Sequence, residues 1–283
     1  MKPNQLKSGI SIAIQKTLDS LHNNQPLVED SKSKEFTIKI ANSLSERESV
    51  FQLGYSVYLE KGYIQPNSQE WLIQPYDSDP QSVILIVQDK NKNLAGSLTL
   101  VFSESSLLPS EKIYGAEINA LRLRGEKMVE ISRLIINPEF RNSKEVLILL
   151  FNYLAIFTYH IKHYSSLVIE VNPRHKAYYK SLLNFEEIGV EKPCPVVENA
   201  PAVLLYLPLA GYQSEVIRCK AVKELNKRER SLYAYFLNHE QESLVVYYLD
   251  KQIKPMTAEE KQYFGISEIK KSSSVFFPFY IDT

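Results

Sequence analysis

Residues 128 to 154 read MVEISRLIINPEFRNSKEVLILLFNYL: an apolar run that carries Glu130 and Arg133, then a polar turn, then a strongly apolar helix. A strand covered on both faces reads as continuously apolar, and an ionised side chain inside it is costly unless it is paired or used. The segment therefore demands a sheet buried on both sides, with a site at which the acid and the guanidinium are partnered or employed. In a regular strand a spacing of three puts the two side chains on opposite faces. They act together only where a bulge, or the parting of neighbouring strands, re-aims one of them. A structural ion pair at the sheet end is the competing reading.

The surrounding pattern supplies that sheet. Ile10, Ile14, Leu18 and Leu21 lie at helical spacing before the polar EDSKSKE, so residues 1–34 read as an amphipathic helix and linker. FTIKI alternates as a half-buried strand. Ser45 with Glu48 reads as a capping box for a helix reaching about Lys61, and Asn142 with Glu145 as a second for a helix over 144–163. SVILIV and LAGSLTLVF flank DKNKN as a hairpin. LVIEV, PRHKAYYKSLLN and FEEIG read as strand, helix and strand, and AVLLYLPL as a last buried strand. The order β-α-β-β-β-α-β-α-β-β predicts an α/β (α+β) domain over 35–210, one mixed sheet flanked by helices. Residues 211–283 read as a helical C-terminal extension, with Thr257 and Glu260 as a third capping box and an aromatic strand-like tail, SVFFPFYI. Apolar residues at helical spacing in SLYAYFLNHEQESLVVYYLDKQI fit either a lid packed on the core or a partner site.

Composition removes several function classes. Lys plus Arg and Asp plus Glu each number 33, so no global basic field exists and nucleic acid is not expected as a partner. Two cysteines, Cys194 and Cys219, make no disulfide scaffold, and the N-terminal segment carries no secretory pattern, which together predict a cytoplasmic protein. Val146 to Phe157 is interrupted by Asn152 and falls short of the roughly 20 residues of a membrane span, so it reads as a core helix. P-loop, GxSxG, HExxH and GxGxxG patterns are missing. His160 and His163 lack a thiol or carboxylate in register and read as a helix end, so no metal site is predicted. His175, behind Pro173 and Arg174, opens a helix after a strand, a place where α/β proteins often keep functional groups.

EISRLIINPEFR, the apolar helix, LVIEVNPRHKAYYKSLLNFEEIG and CPVVENAPAVLLYLPL together resemble the bacterial N-acyl amino acid synthases. That family is similar in fold to the GCN5-related acetyltransferases (GNAT) and to acyl-homoserine lactone synthases. The resemblance spans about residues 36–210, with an echo in MTAEEKQYFG. Its most specific parts are the E-x-S-R of Glu130, Ser132 and Arg133, and VNPRH at 171–175. It implies a GNAT-like fold and transfer of an acyl group from an acyl carrier protein or acyl-CoA thioester to the amine of an amino acid, with no permanently bound cofactor. It implies Glu130 as base, Arg133 as a holder of Glu130 or of the acceptor carboxylate, and Tyr179 as proton donor to the leaving sulfur. Backbone N–H groups around Leu134 to Ile136 would polarise the thioester carbonyl, and Ser132, Asn172, Arg174 and His175 would contact substrate.

The turn EFRNSKE lacks the glycines that cradle a pyrophosphate, yet Arg141 and free helix-end amides suit one phosphate, so an acyl carrier protein is the expected donor and partner. Arg122, Arg124, Lys127, Arg141 and Lys144 are candidate docking cations. Gly54, Tyr55 and Ser56 stand where the synthases usually keep a first-helix arginine, with Arg47 two turns earlier, and Asn184 stands where a glycine is usual. The competing readings are an acyl-homoserine lactone synthase, an acyl-CoA-dependent N-acyltransferase, and a non-catalytic acyl- or partner-binding module.

Overall fold

A computed structural model describes residues 36–225 and 229–266. In chain order the elements are β1 (Phe36–Ile40), α1 (Leu44–Glu60), β2 (Val83–Asp89), β3 (Leu94–Phe102), α2 (Glu111–Leu123), β4 (Met128–Ile136), α3 (Lys144–Ala155), β5 (Ser166–Val171), α4 (Lys176–Leu183), β6 (Glu186–Cys194) and β7 (Ala200–Pro208), followed by α5 (Tyr212–Glu224), α6 (His239–Leu249) and α7 (Ala258–Tyr263). The seven strands form one mixed sheet in the order β1-β2-β3-β4-β5-β7-β6, parallel only between β4 and β5. The seven strands expected within 35–210 are all present, and helices cover both faces.

Alternation along β4 and β5 sorts the core. Val129, Ile131, Leu167 and Ile169 face α3 and join Val146, Leu150, Phe151 and Phe157. Met128 and Val168 face the other way, towards Tyr58 of α1 and Tyr114 and Ile118 of α2. Helix α3 runs on into a π turn over Ile156–Ile161, in which the Thr158 hydroxyl donates to the Leu154 carbonyl at 2.8 Å. Residues 144–161 are apolar and long enough to cross a membrane, but two thirds of them are buried and α3 packs on β1, β2 and β3, as a core helix does. Helices α5 and α6 complete the same core, whereas Phe264 and Ile266 behind α7 join Phe51, Ile84 and Ile86. Tyr212, Leu232, Phe236 and Val245 are buried in the α3 cluster, so this segment packs as a lid rather than standing free.

Three expectations change. Ser43 with Glu46, not Ser45 with Glu48, forms the capping box of α1: the Ser43 hydroxyl accepts from the Glu46 amide at 3.3 Å and Glu46 accepts from the Ser43 amide at 3.1 Å. Both pairs satisfy S-x-x-E, and the chain uses the earlier one. Helix α3 starts behind Ser143 without a side-chain cap, so the Asn142–Glu145 box does not form. Helix α2 was not anticipated. It is kinked at Tyr114 (φ −116°, ψ 31°), whose hydroxyl lies 2.6 Å from the Ala202 carbonyl and 3.1 Å from that of Val190. Gly189 permits this seat, since a Cβ there would come within 2.6 Å of the Tyr114 ring. The Thr257–Glu260 box forms as expected. The helix expected within 1–34 and the aromatic tail lie outside the described residues.

Candidate active site

The bulge that the Glu130–Arg133 spacing requires is present. Thr99 pairs with Ser132 and Ser97 with Ile135, so one extra residue is held in β4, and Arg133 takes the left-handed φ of 44°. Arg133 thereby turns to the face of Glu130 and Ser132, against Tyr76 and Phe51.

Arg133 and Glu130 do not pair with each other. The guanidinium donates to both Asp77 oxygens at 2.7 and 2.6 Å, to the Leu72 carbonyl at 3.1 Å and to the Thr99 hydroxyl at 3.0 Å. Both members of the ion pair are fully buried. Burial disfavours the charged guanidinium, but the Asp77 carboxylate more than offsets this and keeps it protonated. A bidentate carboxylate is the strongest partner a guanidinium finds, so Arg133 is a clamp between β4 and the turn Pro75–Ser78. Its four Nη hydrogens are spent on these partners, and the buried Nε–H is the one donor of the group with no partner among the described residues.

Glu130 is fully buried and is held by the first residue before α2: the Ser110 amide at 3.0 and 3.2 Å and the Ser110 hydroxyl at 2.8 Å. Burial pushes its pKa up to about 8; the Ser110 hydrogen bonds oppose the rise and Glu111 adds to it. The parallel ladder has three pairs, Met128–Ser166, Val129–Leu167 and Glu130–Val168, and stops at Glu130. Beyond that point β4 and β5 part, and the backbone of Leu134 to Ile136 faces β5 without a ladder pair. The buried Ser132 hydroxyl has no hydrogen-bond partner among the described residues.

The other expected site residues fall in two places. Tyr179 lies in the α3-face cluster, against Phe151 (6.2 Å between centroids) and Phe185 (5.9 Å), on the opposite face from Glu130. Its hydroxyl is buried without a partner among the described residues, and burial holds its pKa well above the usual tyrosine value. Asn172, Arg174 and His175 form the turn after β5: Asn172 Oδ1 accepts from the Arg174 amide at 3.1 Å, and Arg174 Nε donates to His175 Nε2 at 2.9 Å. Arg141 follows the Pro138–Phe140 turn, 3.7 Å from Glu60. The five candidate docking cations, neighbours in sequence, divide in space. Arg122, Arg124 and Lys127 precede β4, whereas Arg141 and Lys144 follow it, at the other end of a nine-residue strand about 27 Å long.

Sequence reasoning missed Ser110, Asp77 and Glu170. Glu170 was legible, being an acid inside apolar LVIEV, the same signal that marked Glu130. Among the described residues no group of three His, Cys, Asp or Glu side chains converges as a metal site requires.

The profile of the family described as N-acyl amino acid synthase FeeM matches residues 49–208, more than half of the 283-residue chain. A search of curated proteins finds no match. The solved structure of FeeM, an N-acyl amino acid synthase from uncultured soil microbes, aligns with a TM-score of 0.55 at 24% identity, covering 63% of this chain and 93% of that one. The acyl-homoserine lactone synthase LasI aligns at 0.48 and 16% identity over 62% of this chain and 90% of its own. TofI, solved with an inhibitor and MTA, aligns at 0.48 and 14% over 62% and 91%. The seven-stranded mixed sheet is the GNAT-like fold, the chemistry is N-acyl transfer, and the chain belongs to the FeeM family of N-acyl amino acid synthases.

Proposed function

We propose that the protein transfers a medium or long acyl group from an acyl carrier protein thioester to the amine of an amino acid, in the bacterial cytoplasm, with Glu130 as general base. The observation that carries this reading is a fully buried carboxyl, held by Ser110, at the place where β4 and β5 part, and burial pushes its pKa up to about 8. An α-amine has a reference pKa of about 7.7–8.0, so proton transfer from it to Glu130, directly or through one water, is nearly balanced in energy. Nitrogen then attacks the thioester carbonyl. The oxyanion forms against backbone N–H groups of β4 beyond Glu130, around Leu134 to Ile136, and Ser132 adds a hydroxyl on the same strand. The C–S bond breaks as the nitrogen gives up its second proton, and the thiolate takes a proton from the candidate donor, the unpartnered Tyr179 hydroxyl, which the nitrogen's proton then replaces. Asn172, Arg174 and His175 line the end of β5 for the acceptor.

The donor assignment rests on the turn after β4. Asn137 closes it by accepting from the Glu139 amide at 3.1 Å, and no glycine opens the backbone for a pyrophosphate. Arg141 suits the single phosphate of phosphopantetheine. Mass spectrometry of lipid extracts from cells expressing the protein, against cells expressing Glu130→Gln, tests the reading. New N-acyl amino acids are expected only with the unaltered chain. Equal products from both would remove Glu130 as base, and no product from either would favour a non-catalytic acyl-binding role.

A further inference from the structure

Five carboxyl side chains are buried among the described residues, and four are engaged. Asp77 holds Arg133, Glu130 accepts from Ser110, Glu242 accepts from Tyr212 at 2.7 Å, and Glu260 accepts from Arg47 at 2.6 Å. Glu170 is the fifth. Apart from the Cys194 thiol beside it, nothing among the described residues donates to its two oxygens. A fully buried carboxyl left so poorly satisfied costs folding energy and calls for a reason.

Its position supplies one. Glu170 lies on β5 two residues past Val168, the partner of Glu130, so alternation turns it to Glu130's face just beyond the last ladder pair. The groups facing this pair are Ser110 just before α2, Glu111 and Tyr114 of α2, Tyr76 of the Pro75–Ser78 turn and Cys194 from the end of β6, and none of them is cationic. Burial, then the charge of Glu130, raise the Glu170 pKa well above the usual carboxylate range. The cations in reach are committed elsewhere: Arg133 to Asp77, Arg122 to Glu111 and Lys192 to Glu117. Lys112, which feels the Cys194 thiol, is exposed. Two like carboxyls thus share a buried site that lacks a counter-charge.

We propose that Glu130 and Glu170 together form a seat for the acceptor's ammonium group, with Glu170 as the residue that selects a cationic nitrogen. The assignment rests on the N-acyltransferase reading of the site. A primary ammonium brings a positive charge and three N–H donors, which is what the pair lacks. It lets both carboxyls ionise at once, and Glu130 then takes one of the ammonium protons to release the nucleophile. A neutral molecule of the same size has no charge to offer and is rejected because the carboxyls stay unpaired.

Calorimetric titration of the full-length protein at pH 8 with n-propylamine hydrochloride and, separately, with n-propanol tests the seat without turnover. The unaltered protein is expected to bind the ammonium and not the alcohol, and Glu170→Gln, a neutral isostere, to bind the ammonium at least tenfold more weakly. With acceptor amines that are turned over, the same variant should raise KM for the amine and leave KM for the acyl donor in place. Equal affinity in the two proteins, or no preference for ammonium over alcohol in the unaltered one, overturns the seat. The preference in the unaltered protein is readable even if Glu170→Gln folds poorly. Ammonium binding without acylated product would instead overturn the acyltransferase reading and leave the seat standing.

Discussion

At the scale of single residues, Glu130 is the group whose chemistry and whose cost are the same fact. Acting as a base it must be ionised, so kcat/KM should rise with pH and level off above about 8. Glu130→Gln should lower turnover by roughly 10²–10⁴-fold, the usual worth of general base catalysis, with an unchanged circular dichroism spectrum. Stability carries the opposite sign. The folded pKa lies above the unfolded value of about 4.3, so the burial of the neutral carboxyl favours the fold fully below that value, and this advantage is lost as pH rises to about 8. Urea melts at pH 5 and pH 9 should therefore diverge less for Glu130→Gln than for the unaltered protein. Equal divergence would mean that Glu130 is not buried in its neutral form. Asp77→Ala should cost about 3–5 kcal/mol in the same assay, because it strands a buried guanidinium. Glu130 and Arg133 could be picked out of the sequence because charge inside an apolar strand is expensive. Asp77 could not, since it sits 56 residues away in a turn with no periodicity to mark it.

The elements divide in the same way. Strands and the apolar helix α3 were legible because their hydrophobic period is set by burial, which the sheet then supplies. Helix α2 was not, because EKIYGAEINALRL contains Gly115 and bends at Tyr114, and its place is fixed by contacts made far along the chain. Those contacts are the Tyr114 hydroxyl on the Ala202 carbonyl and Ser110 on Glu130. Gly189→Val would push against the Tyr114 ring, so a loss of about 1–3 kcal/mol is expected by thermal denaturation, along with a shifted acid limb of the pH–rate profile as Ser110 leaves Glu130. A shift in stability alone would mean that α2 does not tune the base. Arg47 shows how a helix-borne arginine can be structural. It donates to Glu260 of α7 at 2.6 Å and to the Lys254 carbonyl at 2.7 Å, fastening the C-terminal segment to α1. Arg47→Met should speed amide exchange over 258–264 and leave the protection of β2 to β5 in place.

For the whole molecule, zero net charge hides an uneven distribution of cations, and that distribution would decide how the charged donor proposed above approaches. Sequence proximity grouped five cations around β4, but the strand that separates them leaves Arg141 and Lys144 alone at the end where β4 and β5 part. Folding adds to that end a cation no sequence pattern would assign to it. Lys223 of α5 and Lys144 both lie over the ring of Tyr235, at 3.8 and 4.4 Å, so the C-terminal segment contributes to the same surface. An acidic acyl carrier protein delivering its phosphopantetheine arm between the parted strands would meet these side chains first. The double exchange Lys144→Glu with Lys223→Glu should therefore lower kcat/KM for an acyl carrier protein thioester by at least tenfold, mostly through association, and the deficit should shrink as salt is raised. The same exchange should leave the rate with a short acyl-pantetheine, which has no protein to dock, within about twofold, since neither lysine touches the buried carboxyls. Steady-state rates with the two donors at low and high ionic strength separate the outcomes. A loss with both donors would point to damage at the site, and a loss with neither would move docking to the Arg122, Arg124 and Lys127 end of the strand.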